Sequence, residues 1–495
     1  MPFPLISYRD PFHQLGGDFW DTVEPHPFRD VRLRYHQPEL LAQLGMEGMD
    51  EEELLRYFGT FEPLPGRLHG PLAQRYIGYQ FQVFNPHLGD GRGFLLAQIP
   101  ATDGRLLDLG TKGSGTTPWS RGGDGFLTLK GGIREIIAAE FLHAMGVKTS
   151  RAFTLVEQEA KLWRGDEPSP TRSSILVRLG EGHVRFGTFE RIYYLIREPA
   201  KQLQLMTRLA DHVVADYYPH LMAAEGAERY LALFKEVASR TADTVAGWIN
   251  AGFCHGVLNT DNMSMTGDSF DYGPWAFMQA YDPTFTAAYF DHSGLYGFER
   301  QPDAVYWNLA QLARPFSLLV PTSRLEEVLT TFPDLYRHAL RRRLLLRVGF
   351  VDTSRDSDLK LLKATLELLR QSGCSFHGFF LMLRDRVACR GVEGGGPDLP
   401  VPGASGEYLQ GFRTAWFTRW EEEPEGSRGE VSRRLYAHNP EVVPWRPEVE
   451  RVWEAIDRGD DWKPFYQWLE KLRRPFISLR ESASPRDLVP VRPVC

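Results

Sequence analysis

The chain has 495 residues, of which 42% are hydrophobic and 13% aromatic, and its formal net charge is −7. This composition predicts a packed globular protein with about two to four domains' worth of core, and the negative charge argues against a nucleic-acid partner. No apolar run approaches the roughly 18 residues of a membrane-spanning helix, and the first residues show neither a secretory signal nor a transit peptide. We expect a cytoplasmic monomer that contacts neither nucleic acid nor membrane.

The four cysteines, Cys254, Cys374, Cys389 and Cys495, lie far apart and have no CxxC spacing. Such a pattern argues against a zinc site or a disulfide framework and favours a reducing compartment. Cys254 lies in an apolar run and is expected to be a small buried side chain. Cys495 ends the chain, so it is either a reactive thiol or a terminal cysteine without a role.

Residues 1–70 have mixed composition, with short helical patterns at residues 38–44 and 51–58. They are predicted to form an N-terminal extension wrapped over the main domain. From about residue 76 to 179 the pattern is typical of strands and glycine-rich turns, with strands predicted at residues 94–99 and 105–109. We assign residues 71–200 to a strand-rich small lobe.

Glycine is concentrated between Gly110 and Gly132, where eight of 23 residues are Gly. Such density indicates positive φ angles or close backbone approach, as in loops that hold phosphates. A flexible surface loop is the alternative. The interleaved Lys112, Arg121 and Asp124 favour an anion site.

Residues 133–145 have the period of an amphipathic helix that ends at Gly146. Glu135 lies in the first turn of this predicted helix, 23 residues after Lys112. Protein kinases hold a strand lysine with a helix glutamate in this order. Glu140 is a rival partner, but it points about 140° away around the helix, so only one of the two can face Lys112. Glu135 is otherwise an acid favoured near a helix N-terminus.

Two arginines follow in apolar segments, Arg178 within residues 173–179 and Arg185 within residues 184–189. We predict two strands here, or a strand and a turn. An arginine in an apolar run is costly unless it is paired, and its guanidinium matches phosphate oxygens. The pair therefore indicates either an anion site or two structural salt bridges.

From residue 201 the pattern becomes helical, and residues 201–392 are assigned to a helical large lobe. Helices are predicted at residues 202–221, 228–249, 307–313, 324–348, 358–372 and 376–386. Residues 393–406 read as a Gly/Pro linker. It opens a C-terminal extension, residues 393–495, with helical segments near residues 408–420 and 447–456.

The segment 253–274, FCHGVLNTDNMSMTGDSFDYGP, contains the strongest chemical signal. His255, Asn262 and Asp271 follow the kinase pattern His-x-Asp-x4-Asn…Asp-Phe-Gly, but Val257 stands where kinases have the catalytic Asp. Carboxylate and amide oxygens suit a hard divalent cation, which can carry phosphates. An ordinary Asx-rich turn is the alternative.

Together these motifs resemble the selenoprotein O (SelO) family, kinase-like proteins that transfer AMP from ATP to protein hydroxyls. The resemblance covers residues 76–316 and rests on several strings in order: LGDGRG, KGSGTTPWSRGGDG, GIRE, LVRLGEGHVRFGTFE, HGVLNTDNMS, FDYGP and QPDAVYWNLAQLA. It implies an α+β, two-lobed protein-kinase-like fold and a metal-dependent protein adenylyltransferase. The acceptors would be Ser, Thr or Tyr hydroxyls of proteins, this chain included.

The resemblance also implies roles for particular residues. Lys112 and Glu135 match the lysine–glutamate pair, Asp261 matches the proposed base, and Asn262 and Asp271 match the ligands of Mg²⁺ or Mn²⁺. ATP would be bound flipped relative to kinases, so that its α-phosphorus meets the acceptor. The positions that match nucleotide contacts are Gly89, Gly91, Arg92, Asp124, Gly125, Arg178 and Arg185, with Asp271 also near the phosphates.

Three departures from the family pattern leave acceptor choice and redox control open: Tyr79 in place of His, Phe126 in place of Arg, and Ala287 where many members have Cys. Two other functions remain alternatives. One is a phosphotransferase that uses the same pocket on a small molecule or a protein. The other is an inactive nucleotide-binding scaffold, against which the joint presence of Lys112, Glu135, Asn262 and Asp271 argues.

Overall fold

A computed structural model of the protein describes residues 8–482, except 68, 166, 391–398, 400, 402 and 405. Cys495 and most of the predicted linker at residues 393–406 lie outside the described residues. The described chain is α+β, with most strands before residue 181 and most helices after it. No helix in these described parts is long and apolar enough to cross a membrane.

One antiparallel sheet dominates the first 180 residues, with strand order β1-β3-β6-β7-β10-β9-β2 and β8 beside β10. Two further hairpins, β4–β5 and β11–β12, stand apart from it. The strands are β1 Trp20–Thr22, β2 Val31–His36, β3 Leu72–Gln74, β4 Gly78–Gln80, β5 Val83–Asn85, β6 Leu95–Pro100, β7 Leu106–Lys112, β8 Leu127–Thr128, β9 Arg151–Leu162, β10 Thr171–Gly180, β11 Phe253–His255 and β12 Trp275–Phe277.

The helices form most of the remaining chain. In chain order they are α1 Pro38–Gln43, α2 Glu51–Phe58, α3 Leu129–Ala144, α4 Phe186–Leu195, α5 Pro199–Tyr217, α6 Gly226–Asn250, α7 Gln301–Phe316, α8 Thr322–Arg347, α9 Asp356–Ser372, α10 Phe376–Arg390, α11 Gly406–Glu421, α12 Arg428–His438, α13 Arg446–Gly459 and α14 Lys463–Ser482.

The two largest of four apolar clusters in the described chain hold most of these elements together. The larger one joins the sheet to the helices, with Ile136 of α3, Leu155 of β9 and Phe316 of α7 among its buried members. The second lies among α8 to α12 and includes Phe380 and Trp416. The first cluster continues from the sheet into the helices. The loops between these two regions are therefore anchored on both sides by elements that share one packed core.

The predicted helix at residues 133–145 begins four residues earlier than expected, at Leu129. Thr128 caps it by accepting a hydrogen bond from the Gly131 amide at 3.0 Å. Two glycines lower the helix propensity of the first turn and hid this start. A Cβ on Gly132 would lie 2.5 Å from Leu155 Cδ1, so glycine lets α3 pack on β9. Glu135 therefore lies in the second turn of α3, and the prediction of the first turn was wrong.

The predicted strand or turn at residues 184–189 was also wrong, because α4 begins at Phe186 with Arg185 at its N-cap. Gly187 lies within this helix, and a Cβ there would be 2.0 Å from the Ile77 carbonyl oxygen. The close packing of Gly187 on Ile77, just before β4, therefore favours a helix at this place in spite of the low helix propensity of glycine. Strands β2 and β9 and helices α12 and α14 were not predicted.

Candidate active site

Lys112, the last residue of β7, is the centre of the site. It is 3% exposed, and its Nζ contacts Glu135 Oε1 and Asp271 Oδ1. Glu140, the rival partner, binds Arg151 instead through two hydrogen bonds of 2.7 Å. The helix geometry thus turns only Glu135 towards Lys112, as predicted.

Arg178 lies on the neighbouring strand, on the same face of the sheet as Lys112. The register pairs Lys112 with Leu176 and Gly110 with Arg178, so the two cationic residues are diagonal neighbours across the ladder. Arg178 Nη1 lies 3.8 Å from Asp271 Oδ1. Its Nε and Nη1 are buried and have no hydrogen-bond partner within the described structure. A buried guanidinium with free donors indicates a place for an anion.

Arg185 joins the LGDGRG turn to the loop with the predicted metal ligands. Its Nη1 donates to the Asp261 carbonyl oxygen at 2.8 Å, and its Nη2 lies 3.4 Å from Asp90 Oδ1. The rings of Tyr76 and Phe270 lie 4.5 and 4.8 Å from its guanidinium carbon. These contacts on four sides fix the guanidinium in one position.

The LGDGRG turn and the second glycine-rich loop pack directly on each other. A Cβ on Gly89 would lie 2.4 Å from Trp119 Cγ, and one on Gly91 would lie 2.8 Å from the Trp119 carbonyl oxygen. Gly125 has φ +74°, and a Cβ there would lie 2.2 Å from the Gly115 carbonyl carbon within the second loop. Glycine is therefore needed at Gly89 and Gly91 for the two loops to meet, and at Gly125 for the second loop to fold on itself.

Arg92 and Asp124 lie at the exposed edge of these loops. Asp124 forms a two-point ion pair with Arg164, with bonds of 2.8 and 3.0 Å. Among the described residues, no hydrogen bond joins Asp124 to Lys112, Arg178 or Arg185. The structure thus brings these three cationic residues close to Asp271 and places Asp124 apart from them.

The β11–β12 hairpin carries the predicted metal loop between its two strands. Asn262 Nδ2 donates to the Val257 carbonyl oxygen at 3.0 Å, whereas Asn262 Oδ1 is buried with no donor in the described part of the chain. Among all the described residues, no group of three or more His, Cys, Asp or Glu side chains could hold a metal ion. An ion at this place would depend on the Asn262 oxygen and Asp271, which fit a hard cation.

Asp261 and Asp271 have opposite electrostatic environments. Burial raises the pKa of Asp261 to about 6, although Arg185 opposes the shift. Burial also disfavours ionisation of Asp271, but Lys112 and Arg178 outweigh it and hold the pKa of Asp271 well below its usual range. Asp271 is thus a permanent anion, whereas Asp261 can take and release a proton near neutral pH.

Sequence reasoning missed the acid Glu190 and the loop residues Asn259 and Thr260. Thr260 Oγ1 donates to Glu190 Oε2 at 2.7 Å and accepts from the Tyr79 amide at 2.8 Å. Asn259 Oδ1 accepts from the Phe81 amide at 3.1 Å. The only sequence signal was an acid at the end of the apolar string VRFGTFE, which by itself indicates nothing specific.

We predict that replacing Glu190 with glutamine stabilises the fold increasingly as the pH rises. Burial raises the pKa of Glu190 to about 8, with Asp261 adding to the shift and Thr260 and Arg314 opposing it. Between about pH 5 and 8 the folded state therefore keeps a proton that the unfolded state has lost, so the free energy of unfolding of the native protein falls across this window. Glutamine removes that dependence.

Thermal melts at pH 5, 6, 7 and 8 measure the effect. The Tm of Glu190→Gln relative to the native protein should rise by about 5 °C from the lowest to the highest pH. Glu62→Gln, an exposed acid beside Arg56, is the control and should show no such trend. A Tm difference for Glu190→Gln that stays constant with pH would contradict the assignment.

A cavity with a volume of about 960 Å³ lies elsewhere. None of the predicted site residues lines it. Its charged lining already forms ion pairs, such as Lys148 with Asp268 at 3.3 Å and Arg343 with Asp243 at 2.5 Å. The volume of a cavity alone therefore does not indicate the predicted site in this protein.

Comparisons with known proteins show the family of the chain. A family model described as protein adenylyltransferase SelO matches residues 2–473. Protein nucleotidyltransferase YdiU of Gloeobacter violaceus is 46% identical over 481 residues, 96% of each chain. The protein of the same name from Synechococcus elongatus is 43% identical, covering 95% of this chain and 96% of its own. That from Azotobacter vinelandii is 36% identical, covering 95% and 93%.

The protein is therefore an enzyme of the nucleotidyltransferase class, and its candidate site has a lysine held between two carboxylates. More particularly, the chain belongs to the SelO family of protein adenylyltransferases.

Proposed function

We propose that this protein transfers AMP from ATP to Ser, Thr or Tyr hydroxyls of proteins. The observation that carries the proposal is a set of buried polar atoms on the predicted site residues that have no hydrogen-bond partner in the described residues: Arg178 Nε and Nη1, Asn262 Oδ1 and Asp261 Oδ1. Buried polar groups are rarely left unsatisfied, so the free donors of Arg178, which lies 3.8 Å from Asp271, support a polyanionic ligand. Family membership makes ATP the substrate.

We further infer a two-lobed, kinase-like arrangement, with residues 71–200 as the small lobe and 201–392 as the large lobe. The sheet with Lys112 and α3 with Glu135 belong to the first segment, and the β11–β12 loop with Asn262 and Asp271 belongs to the second. The contact of Lys112 with Asp271 supports this arrangement, because it joins the two segments at the site. Residues 1–70 and 393–495 are the extensions on either side.

The predicted site residues would have different roles in the reaction. Lys112, Arg178 and Arg185 would neutralise the triphosphate and hold it still. The acceptor hydroxyl gives its proton to Asp261 and its oxygen bonds to the α-phosphorus, while the bond from that phosphorus to the bridging oxygen breaks and pyrophosphate leaves. Asn262 and Asp271 would hold Mg²⁺ or Mn²⁺, which supplies charge neutralisation at the phosphates.

Val257 supports transfer from the α- rather than the γ-phosphate. A valine cannot accept a proton, so a γ-phosphate in the kinase orientation would lack the usual base. Asp261 lies four residues further on, is 8% exposed and has one carboxylate oxygen without a partner. Its raised pKa suits proton transfer near neutral pH.

We expect ATP labelled on the α-phosphate to label protein, and ATP labelled on the γ-phosphate not to do so. The two labels are compared in parallel with the protein, Mg²⁺ or Mn²⁺, and casein as added acceptor. Each labelled protein should gain the mass of one AMP. Asp261→Asn, which keeps the shape of the side chain, should reduce the α label by about a hundredfold or more.

The same experiment separates the alternatives. Label from the γ-phosphate alone would show a phosphotransferase, and label from neither would show an inactive scaffold. Undiminished α labelling by Asp261→Asn would remove Asp261 from the mechanism and leave AMP transfer in place.

A further inference from the structure

Glu190 is a buried acid that the proposed reaction does not use. It lies on α4 with 0% of its surface exposed, and its Oε1 has no hydrogen-bond partner in the described chain. Its one hydrogen bond is the 2.7 Å bond that Oε2 accepts from the Thr260 hydroxyl. Burying a carboxyl group costs folding free energy. Because Thr260 is its hydrogen-bond partner among the described residues, the contacts of Thr260 indicate the role of Glu190.

Thr260 connects three parts of the chain. A hydroxyl has one proton and two lone pairs; the Thr260 proton goes to Glu190, and its oxygen accepts the Tyr79 amide at 2.8 Å. The preceding side chain, Asn259, accepts the Phe81 amide at 3.1 Å. Two amides of the β4–β5 hairpin are therefore bound by two consecutive side chains just before Asp261.

The hairpin lies directly against the carboxylate of Asp261. A Cβ on Gly78 would be 2.7 Å from Asp261 Oδ1 and 3.1 Å from Thr260 Oγ1. Among the described strands, β4 and β5 pair only with each other. The hairpin therefore takes its position largely from side-chain contacts, which include those to the loop and the ring contacts of Tyr79 with Trp307 at 5.3 Å and of Phe81 with Tyr296 at 4.8 Å. A hairpin that moved away would expose Asp261 to water.

We propose that Glu190 is a positioning residue of the transfer site: by fixing the Thr260 hydroxyl, it holds the β4–β5 hairpin over the loop that carries Asp261. The proposal rests on the role of Asp261 in the proposed function. It assigns Glu190 no contact with ATP. Glu190 should therefore affect the rate of transfer and leave ATP affinity unchanged.

The kinetic test changes both ends of the Glu190–Thr260 bond. Glu190→Ala and Thr260→Val should each lower kcat for AMP transfer from α-labelled ATP to casein by about ten- to a hundredfold, with KM for ATP unchanged, because a small misplacement of a catalytic group has effects of this size. Glu190→Gln and Thr260→Ser keep an acceptor and a hydroxyl and should keep most of the activity. The double variant Glu190→Ala/Thr260→Val should lose no more than either single variant.

Hydrogen exchange provides a readout that does not need activity. The Tyr79 and Phe81 amides should exchange faster in Glu190→Ala and Thr260→Val than in the native protein, while amides of α6 remain protected. Thr241→Val, a buried threonine of α6 whose hydroxyl has no hydrogen-bond partner among the described residues, is the matched control. It should change neither the exchange at Tyr79 nor kcat.

Three results would overturn the proposal: unchanged exchange at Tyr79 and Phe81, a higher KM for ATP with kcat unchanged, or equal losses in Glu190→Gln and Glu190→Ala. Failure of the proposed function gives a different result. If Asp261 is not the base, Asp261→Asn keeps its activity, while faster hairpin exchange in Glu190→Ala still shows that Glu190 holds the hairpin.

Discussion

Replacing Asp271 with alanine is expected to reduce AMP transfer by about a thousandfold or more, which corresponds to about 4 kcal/mol of transition-state stabilisation. Asp271 contacts Lys112, lies 3.8 Å from Arg178 and keeps a quarter of its side chain (25%) exposed to the site. Its pKa is held well below the usual range, so it is an anion at every working pH.

Two measurements separate loss of chemistry from loss of fold. The Tm of Asp271→Ala should stay close to that of the native protein, and its affinity for Mn²⁺, measured by titration calorimetry, should fall together with activity. Asp352→Ala is the matched control, because Asp352 is a similarly shielded acid paired with Arg341 at 2.7 Å. It should retain full transfer. Near-normal transfer by folded Asp271→Ala would refute the assignment of Asp271 to the site.

Replacing Lys112 with methionine should abolish transfer and also destabilise the fold by about 3 to 5 kcal/mol. Lys112 is 3% exposed and neutralises Glu135, whose side chain is 4% exposed. Without the ammonium, Glu135 becomes an unpaired buried charge, which is the costly outcome for a buried ion pair. The same change removes the cation that would face the phosphates.

The two losses can be separated with a double variant. Lys112→Met/Glu135→Gln removes both charges, so most of the lost stability should return in thermal melts while transfer stays absent. Lys148→Met is the matched control, because Lys148 also lies between two acids, Glu181 and Asp268. It should lose stability and keep transfer. Restored transfer in the double variant would show that Lys112 has only a structural role.

Much of the arrangement could be predicted because it depends on local patterns. The period of residues 133–145 was sufficient to place Glu135 and Glu140 on different sides of one helix, and the structure shows Lys112 with the first and Arg151 with the second. Cys254 is buried, as its apolar neighbours indicated. The helix α2 was predicted with its observed bounds, since Asp50 and Glu53 form a local capping box.

Other features depend on contacts between distant residues. Gly132 and Gly187 argue against helix on propensity alone, yet both lie in helices because close packing on Leu155 and Ile77 leaves no room for a Cβ. The sequence showed Arg185 as a cationic residue in an apolar run. Only the tertiary structure places its guanidinium between two rings, with a donor on the Asp261 carbonyl oxygen.

By itself, the sequence determined the family, the order of the charged residues and most helices, because spacing, periodicity and turn chemistry are properties of neighbouring residues. The tertiary structure decided which acid is an anion and which can take up a proton. Asp261 and Asp271 differ in pKa because burial outweighs Arg185 at the first, whereas Lys112, Arg178 and other cationic residues together outweigh burial at the second. The tertiary structure also brings Glu190 into contact with Thr260, 70 residues away in the sequence. Long-range partners of this kind depend on packing and leave no local pattern.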